Sequence, residues 1–135
     1  MSGRALATRV LCIEDDPEMI ELICLILEQH GYEVAGRTGG MQGLQAAREI
    51  GPDVILLDLM MPEMDGWEVY RHIKRDPILA AIPVVIVTAK AQNIDRVVGL
   101  HIAKVDDYVT KPFGPQELLK RIEGVLARRE PKAVR

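Results

Sequence analysis

Asp15, Asp16, Asp58, Thr88 and Lys111 stand at or just beyond the ends of short apolar runs, in VLCIEDD, VILLDLMMPEMDG, PVVIVTAK and DDYVTKPF. Runs of four to six Val, Ile and Leu residues read as strands buried on both faces of a parallel sheet. Ligand chemistry in such sheets gathers beyond the carboxyl ends of the strands. Three carboxylates, a hydroxyl and an ammonium would then share one rim. Such a cluster is unfavourable alone, because like charges about 4 Å apart repel by roughly 4 kcal/mol at an effective dielectric near 20. A hard cation relieves it. Oxygen donors without clustered His or Cys suit Mg²⁺ better than zinc, and Mg²⁺ brings phosphate oxygens with it. The pocket therefore asks for a phosphoryl group.

The elements that must position these groups alternate in kind. Strands are expected at Val10 to Ile13, Glu33 to Arg37, Val54 to Leu57, Val84 to Val87 and Tyr108 to Thr110, with helical patterns between them. This alternation predicts a parallel α/β sheet. The first helix should open near Pro17 with Asp15 or Asp16 as its cap, and His30 and Gly31 should end it. Further helices are expected over Gln42 to Ile50, Trp67 to Arg75, Ile94 to about His101, and Gln116 to Arg128. GRTGG at positions 36 to 40 lacks the spacing of either nucleotide-binding fingerprint. His30, His72 and His101 read as surface residues, and Trp67 as a packing residue at a helix start.

Composition excludes several classes. A chain of 135 residues fits one domain, and 17 basic against 20 acidic residues give a net charge of −3. A broad nucleic-acid surface is not indicated. MSGRALATR lacks the apolar stretch of a signal peptide and no run approaches roughly 20 apolar residues, so no membrane association and a cytoplasmic location are expected. Cys12 and Cys24 read as inert packing thiols.

In this order and spacing the four pieces resemble the receiver domain of two-component response regulators, of chemotaxis-regulator type, over roughly Arg9 to Arg128. The resemblance implies a flavodoxin-like, doubly wound five-stranded parallel sheet with helices on both faces. Residues 1–8 and 129–135 would be tails around a receiver domain at 9–128. It implies that Asp58 accepts a phosphoryl group from a phosphohistidine on a sensor histidine kinase or phosphotransfer protein. Mg²⁺ would be held by Asp15, Asp16, Asp58 and the Met60 backbone carbonyl. Thr88 would bond a phosphoryl oxygen and Lys111 would neutralise the charge, next to a cis peptide before Pro112. Thr88 and Tyr108 would form the switch, the aromatic ring turning inward as the hydroxyl moves.

Bland readings stand beside each of these. Asp58 could cap a turn, Asp15 or Asp16 a helix, and Tyr108 could be an ordinary strand aromatic. A regulatory phosphoacceptor rather than a metabolic enzyme is expected. The rivals are an aspartate-nucleophile phosphatase, which would place a second Asp where Met60 stands, and a pseudo-receiver acting only by binding. The family's Gly-Ala turn before its second acidic pair is replaced here by HIAKV. Met60 and Lys90 would flank the path of a hydrolytic water. DDYVTKPFGPQELLKRI is similar to receivers of winged-helix transcription factors, which dimerise through the face from the fourth to the fifth expected helix. Arg96, Asp106, Asp107 and Arg121 supply charges there, so a phosphorylation-dependent homodimer is one expected partner, beside an unknown downstream protein.

Overall fold

The computed structural model describes residues 7–61, 64–89 and 106–128. The chain runs β1 (Arg9–Ile13), α1 (Pro17–Glu28), β2 (Glu33–Arg37), α2 (Gly40–Ile50), β3 (Val54–Asp58), α3 (Gly66–Arg75), β4 (Val84–Thr88), β5 (Asp107–Thr110) and α4 (Pro115–Arg128). The five strands form one parallel sheet in the order β2-β1-β3-β4-β5. This is the doubly wound α/β architecture expected from the alternating patterns. The expected helix from Ile94 to His101, the HIAKV segment, Lys90, Arg96 and residues 1–6 and 129–135 lie outside the described residues.

Strand alternation explains the two-sided core. Leu11, Ile13, Ile55, Leu57, Val84 and Ile86 face α2 and α3, where Leu44, Val69 and Ile73 complete one apolar layer. Val10, Cys12, Val54, Leu56, Val85 and Val87 face the other way, against Ile23, Leu27, Leu118 and Ile122 of α1 and α4. Successive side chains of a strand point to opposite faces, so an unbroken apolar run fills both layers at once. Edge strand β2, EVAGR, has only one neighbour and is less buried.

Helix boundaries follow capping chemistry. Asp16 caps α1, its Oδ1 accepting from the Glu18 N–H at 3.0 Å, and Pro17 takes the first helical position. The α2 helix begins at Gly40, two residues before the expected Gln42, because Gly39 serves as a cap without a side-chain hydrogen bond. It stops at Gly51, whose φ of +63° is the left-handed conformation that glycine adopts at little cost. Asp65 caps α3 through the Trp67 N–H at 3.0 Å. Gly66 then lies so close to the end of β3 that a Cβ there would overlap the Asp58 carbonyl oxygen and Leu59 Cα. No described helix is long and apolar enough to cross a membrane.

Candidate phosphoacceptor site

Sheet register brings the polar groups together at the carboxyl ends of the strands. Ile13 of β1 lies opposite Leu57 of β3, so the next residue of each strand, Glu14 and Asp58, emerge side by side. Both are almost fully buried, at 2% and 3% exposure. Glu14 is anchored by its own N–H, which donates to the Arg37 carbonyl at 3.0 Å, and its Oε2 accepts from the Asp16 N–H at 3.1 Å. Asp58 Oδ1 accepts from the Met60 N–H at 3.0 Å. Oxygens of Glu14, Asp15 and Asp58 all lie within 4.8 Å of one another.

Lys111 closes the cluster from β5. Its Nζ donates to Glu14 Oε1 at 2.7 Å and stands 3.6 Å from Asp58 Oδ2. Its own N–H donates to the Thr88 carbonyl at 2.8 Å, which fixes the chain after β5 against the end of β4. The Lys111–Pro112 peptide is cis. Thr88 is fully buried, and its Oγ1 has no hydrogen-bond partner among the described residues. A buried hydroxyl without a partner costs free energy. Tyr108, by contrast, points outward at 37% exposure, with the Arg121 guanidinium 5.8 Å from its ring centroid. Arg121 also pairs with Asp107 at 3.0 Å.

Burial and crowding set the charges. Desolvation pushes the Asp58 carboxyl up to about 7, opposed by the Met60 N–H and Lys111 and reinforced by Glu14. Burial alone would lower the Lys111 ammonium, but the bond to Glu14 and the charges of Asp58 and Glu14 outweigh it, so its pKa rises. Burial drives the Cys12 thiol upward, which fits an inert packing role.

Of the residues expected in the pocket, Asp15 and Asp58 converge as carboxylates, Lys111 reaches Asp58, and Thr88 ends the neighbouring strand. Asp16 is the exception. Its side chain caps α1 and is outside the group of converging oxygens, while Glu14, absent from the expected set, is inside it. The signal for Glu14 was present: like Asp58, it directly follows its apolar run, whereas Asp16 is two residues farther along. Among the described residues, three clustered carboxylates with one ammonium carry a net negative charge, and the donor set is all oxygen. Together with the orphaned Thr88 hydroxyl, this composition fits a hard divalent cation and an oxyanion.

Comparison with known proteins agrees with this geometry. Residues 10–123 match the family described as response regulator receiver domain. The chain is 42% identical over 122 residues to the DNA-binding response regulator MtrA of Mycolicibacterium smegmatis, covering 90% of this chain and 52% of that protein. It is 40% identical over 129 residues to the phosphate regulon transcriptional regulatory protein PhoB of Escherichia coli, covering 96% and 56%. The chain thus spans about half the length of these relatives. Among solved structures, a putative response regulator from Chloroflexus aurantiacus superposes with a TM-score of 0.82 at 30% identity, covering 91% of this chain and all of that one. The receiver domain of sensor histidine kinase PA1611 from Pseudomonas aeruginosa, with a magnesium ion coordinated in its active site cleft, gives 0.81 at 30% identity, covering 90% and 99%. A profile match over most of the chain, joined to a buried acidic rim on a β2-β1-β3-β4-β5 sheet, establishes that this chain belongs to the response regulator receiver domain family of two-component systems.

Proposed function

We propose that Asp58 is the phosphoacceptor of this receiver. The observation that carries the reading is a buried Asp58 carboxylate inside a three-carboxylate cluster, with the Lys111 ammonium 3.6 Å from Oδ2. A carboxylate oxygen of Asp58 attacks phosphorus of a donor phosphohistidine. The P–N bond breaks, the imidazole departs with the bonding electron pair, and an aspartyl phosphate remains. The donor is a sensor histidine kinase or a phosphotransfer protein.

Glu14, Asp15, Asp58 and the Met60 carbonyl would hold Mg²⁺, with Asp16 acting through the start of α1. Bound Mg²⁺ supplies electrostatic stabilisation of the charge that builds on the transferring group. Lys111 holds the ammonium against the same charge, and Thr88 Oγ1 donates the hydrogen bond that it makes with no described group in the resting protein. When Thr88 shifts toward the phosphoryl oxygen, Tyr108 turns from its outward position into the space vacated. The local charge change thereby biases a two-state surface.

The protein acts as a cytoplasmic switch over roughly residues 9–128 and has no separate substrate. Its output is a downstream protein or domain. The DNA binding named for MtrA is the kind of output we carry over, without direct nucleic-acid contact by the receiver. A homodimer formed on phosphorylation through the Asp107 and Arg121 face is the accompanying expectation. The phosphatase alternative is not favoured, because Met60 stands where that chemistry places its second acid.

The test is intact-protein mass after acetyl phosphate treatment, with and without Mg²⁺. One phosphoryl adduct that needs Mg²⁺ and disappears in Asp58→Asn is the expected result. An adduct that persists in Asp58→Asn would move the acceptor elsewhere, and no adduct from either acetyl phosphate or a phosphorylated kinase would remove the reading.

A further inference from the structure

Among the described residues the sheet ends on an open strand. Its edge strand β2 pairs with β1 alone, and Glu33 is exposed while Val34 to Arg37 are partly so. The Glu33 N–H donates to the Thr8 carbonyl at 2.9 Å and the Arg37 carbonyl accepts from the Glu14 N–H at 3.0 Å, so the backbone groups of Glu33, Ala35 and Arg37 point inward to β1. Backbone groups alternate in direction along a strand, which turns the N–H and C=O of Val34 and Gly36 outward. The Arg37 guanidinium covers part of this edge, Nη1 donating to the Gly36 carbonyl at 2.7 Å. Glu33 keeps a loose 3.6 Å ion pair with Arg9, its side chain still 64% exposed.

The strand EVAGR is complementary to itself in reverse. With a second copy running antiparallel about Ala35, Glu33 falls opposite Arg37 of that copy, and Val34 falls opposite Gly36. Hydrogen bonding agrees with this register. Val34 and Gly36 are the residues whose groups face outward, so their pair forms twice by symmetry and gives four N–H to C=O bonds. Glu33–Arg37 and Ala35–Ala35 then take the positions where opposed side chains come closest. Ala35 packs against the apolar layer of α2 and α3, and Glu33 and Arg37 share its face of the strand, so the opposite charges meet on one side. A slip of one residue sets outward groups against inward ones, and a slip of two separates Glu33 from Arg37.

We propose that the β2 edge is a self-association surface, which pairs antiparallel with β2 of a second copy of this chain and joins the two sheets into one. The contact is isologous, the same patch serving both copies. It lies at the edge opposite β5, away from Asp107 and Arg121, and needs no phosphoryl group. It is therefore separate from the homodimer expected on phosphorylation. Arg37 has a place in both states: on its own Gly36 carbonyl in the monomer, where it blunts the edge, and on Glu33 of the second copy in the dimer. So short an edge makes a small, weak interface, with a Kd on the order of 0.1 mM.

Sedimentation equilibrium of the chain from about 10 μM to about 1 mM, in chelator and without a phosphoryl donor, tests this. Wild type should dimerise. Glu33→Arg and Arg37→Glu, each checked for folding by circular dichroism, set like charges opposite each other and should each weaken association by at least about tenfold. An equimolar mixture of the two variants should regain it, because the mixed pair restores both contacts between opposite charges. Wild type that stays monomeric to 1 mM, variants that associate like wild type, or a mixture that fails to associate would each overturn the proposal. Should Arg37→Glu not fold, exchange of the Val34 and Gly36 amides in wild type decides, and slowing as protein concentration rises is expected. Exchange independent of concentration overturns the proposal: if fast, the edge stays bare, and if slow, another part of the chain covers it.

Discussion

The two ends of the sheet carry similar residue types and use them differently. At the amino end, Arg9, Asp53 and Asp106 each meet a complementary partner. Asp53 Oδ2 accepts from the Arg9 N–H at 2.8 Å, and Arg9 Nη1 donates to the Ile50 carbonyl at the end of α2 at 3.0 Å. Asp106 Oδ2 accepts from the Val84 N–H at 2.8 Å and faces Lys74 at 3.7 Å, while its carbonyl accepts from Arg128 at 3.0 Å. At the carboxyl end, among the described residues, three carboxylates converge beside one ammonium, and a buried hydroxyl has no partner. One end spends its charges on joining strands and helices. The other holds them in a crowded arrangement that a hard cation can relieve, so stability and function occupy opposite edges of the same strands.

The sharpest way to break this contrast is to remove a carboxylate from the crowded end and find that stability falls. Asp58→Asn should instead stabilise the Mg²⁺-free protein. The Asp58 carboxyl is raised from 3.8 to about 7, which corresponds to at most roughly 4 kcal/mol of unfavourable ionisation. Loss of its contact with Lys111 offsets part of that, leaving a gain of about 2 kcal/mol above pH 7. Because the native pKa lies above the unfolded one, the unfolded state loses its proton first. Wild-type stability is therefore full below about pH 4 in this respect and declines as pH rises to about 7. Urea unfolding in chelator from pH 4 to 8 should show that decline in wild type and a flatter profile in Asp58→Asn. A less stable Asp58→Asn at pH 8 would make the carboxyl end a structural site like the other.

The same measurement at the amino end should give the opposite sign. Asp106→Ala strips the fully buried Val84 of the acceptor for its N–H and frees Lys74 from its ion pair. An unpaired buried donor costs about 1–3 kcal/mol, so the variant should unfold at lower urea by that amount. Asp106 is partly exposed, and water entering the site would bring the loss toward the lower figure. A neutral substitution would mean that the strand ends there are held by packing alone.

The contrast was only partly legible in the sequence. Strands β1, β3 and β4 stand out because apolar runs wide enough for two faces admit few alternatives, and edge strand β2, Glu33 to Arg37, is marked by its place between two helical patterns. The start of α2 was misjudged by two residues, since Gly39 gives no side-chain capping signal. Asp58, Thr88 and Lys111 were found because each directly terminates its run. Glu14 does not stand out in the sequence because the Asp pair beside it also lies at the end of the run. Deciding between Asp16 and Glu14 requires register: Ile13 opposite Leu57 makes residue 14 the neighbour of Asp58. The amino-end contacts were not legible at all, because Arg9 to Asp53 and Asp106 to Val84 depend on which strands become neighbours.

A smaller effect separates chemistry from stability within the carboxyl end itself. Met60 is two residues beyond Asp58, donates its N–H to Asp58 Oδ1, and leaves its side chain 45% exposed at the mouth of the site. Its backbone is committed to the pocket, whereas Met60 as a residue is exposed. A substitution there should leave folding within about 0.5 kcal/mol. An apolar thioether offers an approaching water no strong hydrogen bond, so an amide in its place should help to orient one toward the aspartyl phosphate. Met60→Asn is thus expected to speed loss of the phosphoryl group by severalfold, equivalent to about 1 kcal/mol in barrier. Following phosphoryl decay by intact mass after removal of acetyl phosphate would measure it, alongside a urea titration. Faster decay at unchanged stability would show that side chains at this rim tune lifetime independently of the fold. An unchanged decay rate would assign Met60 a backbone role alone.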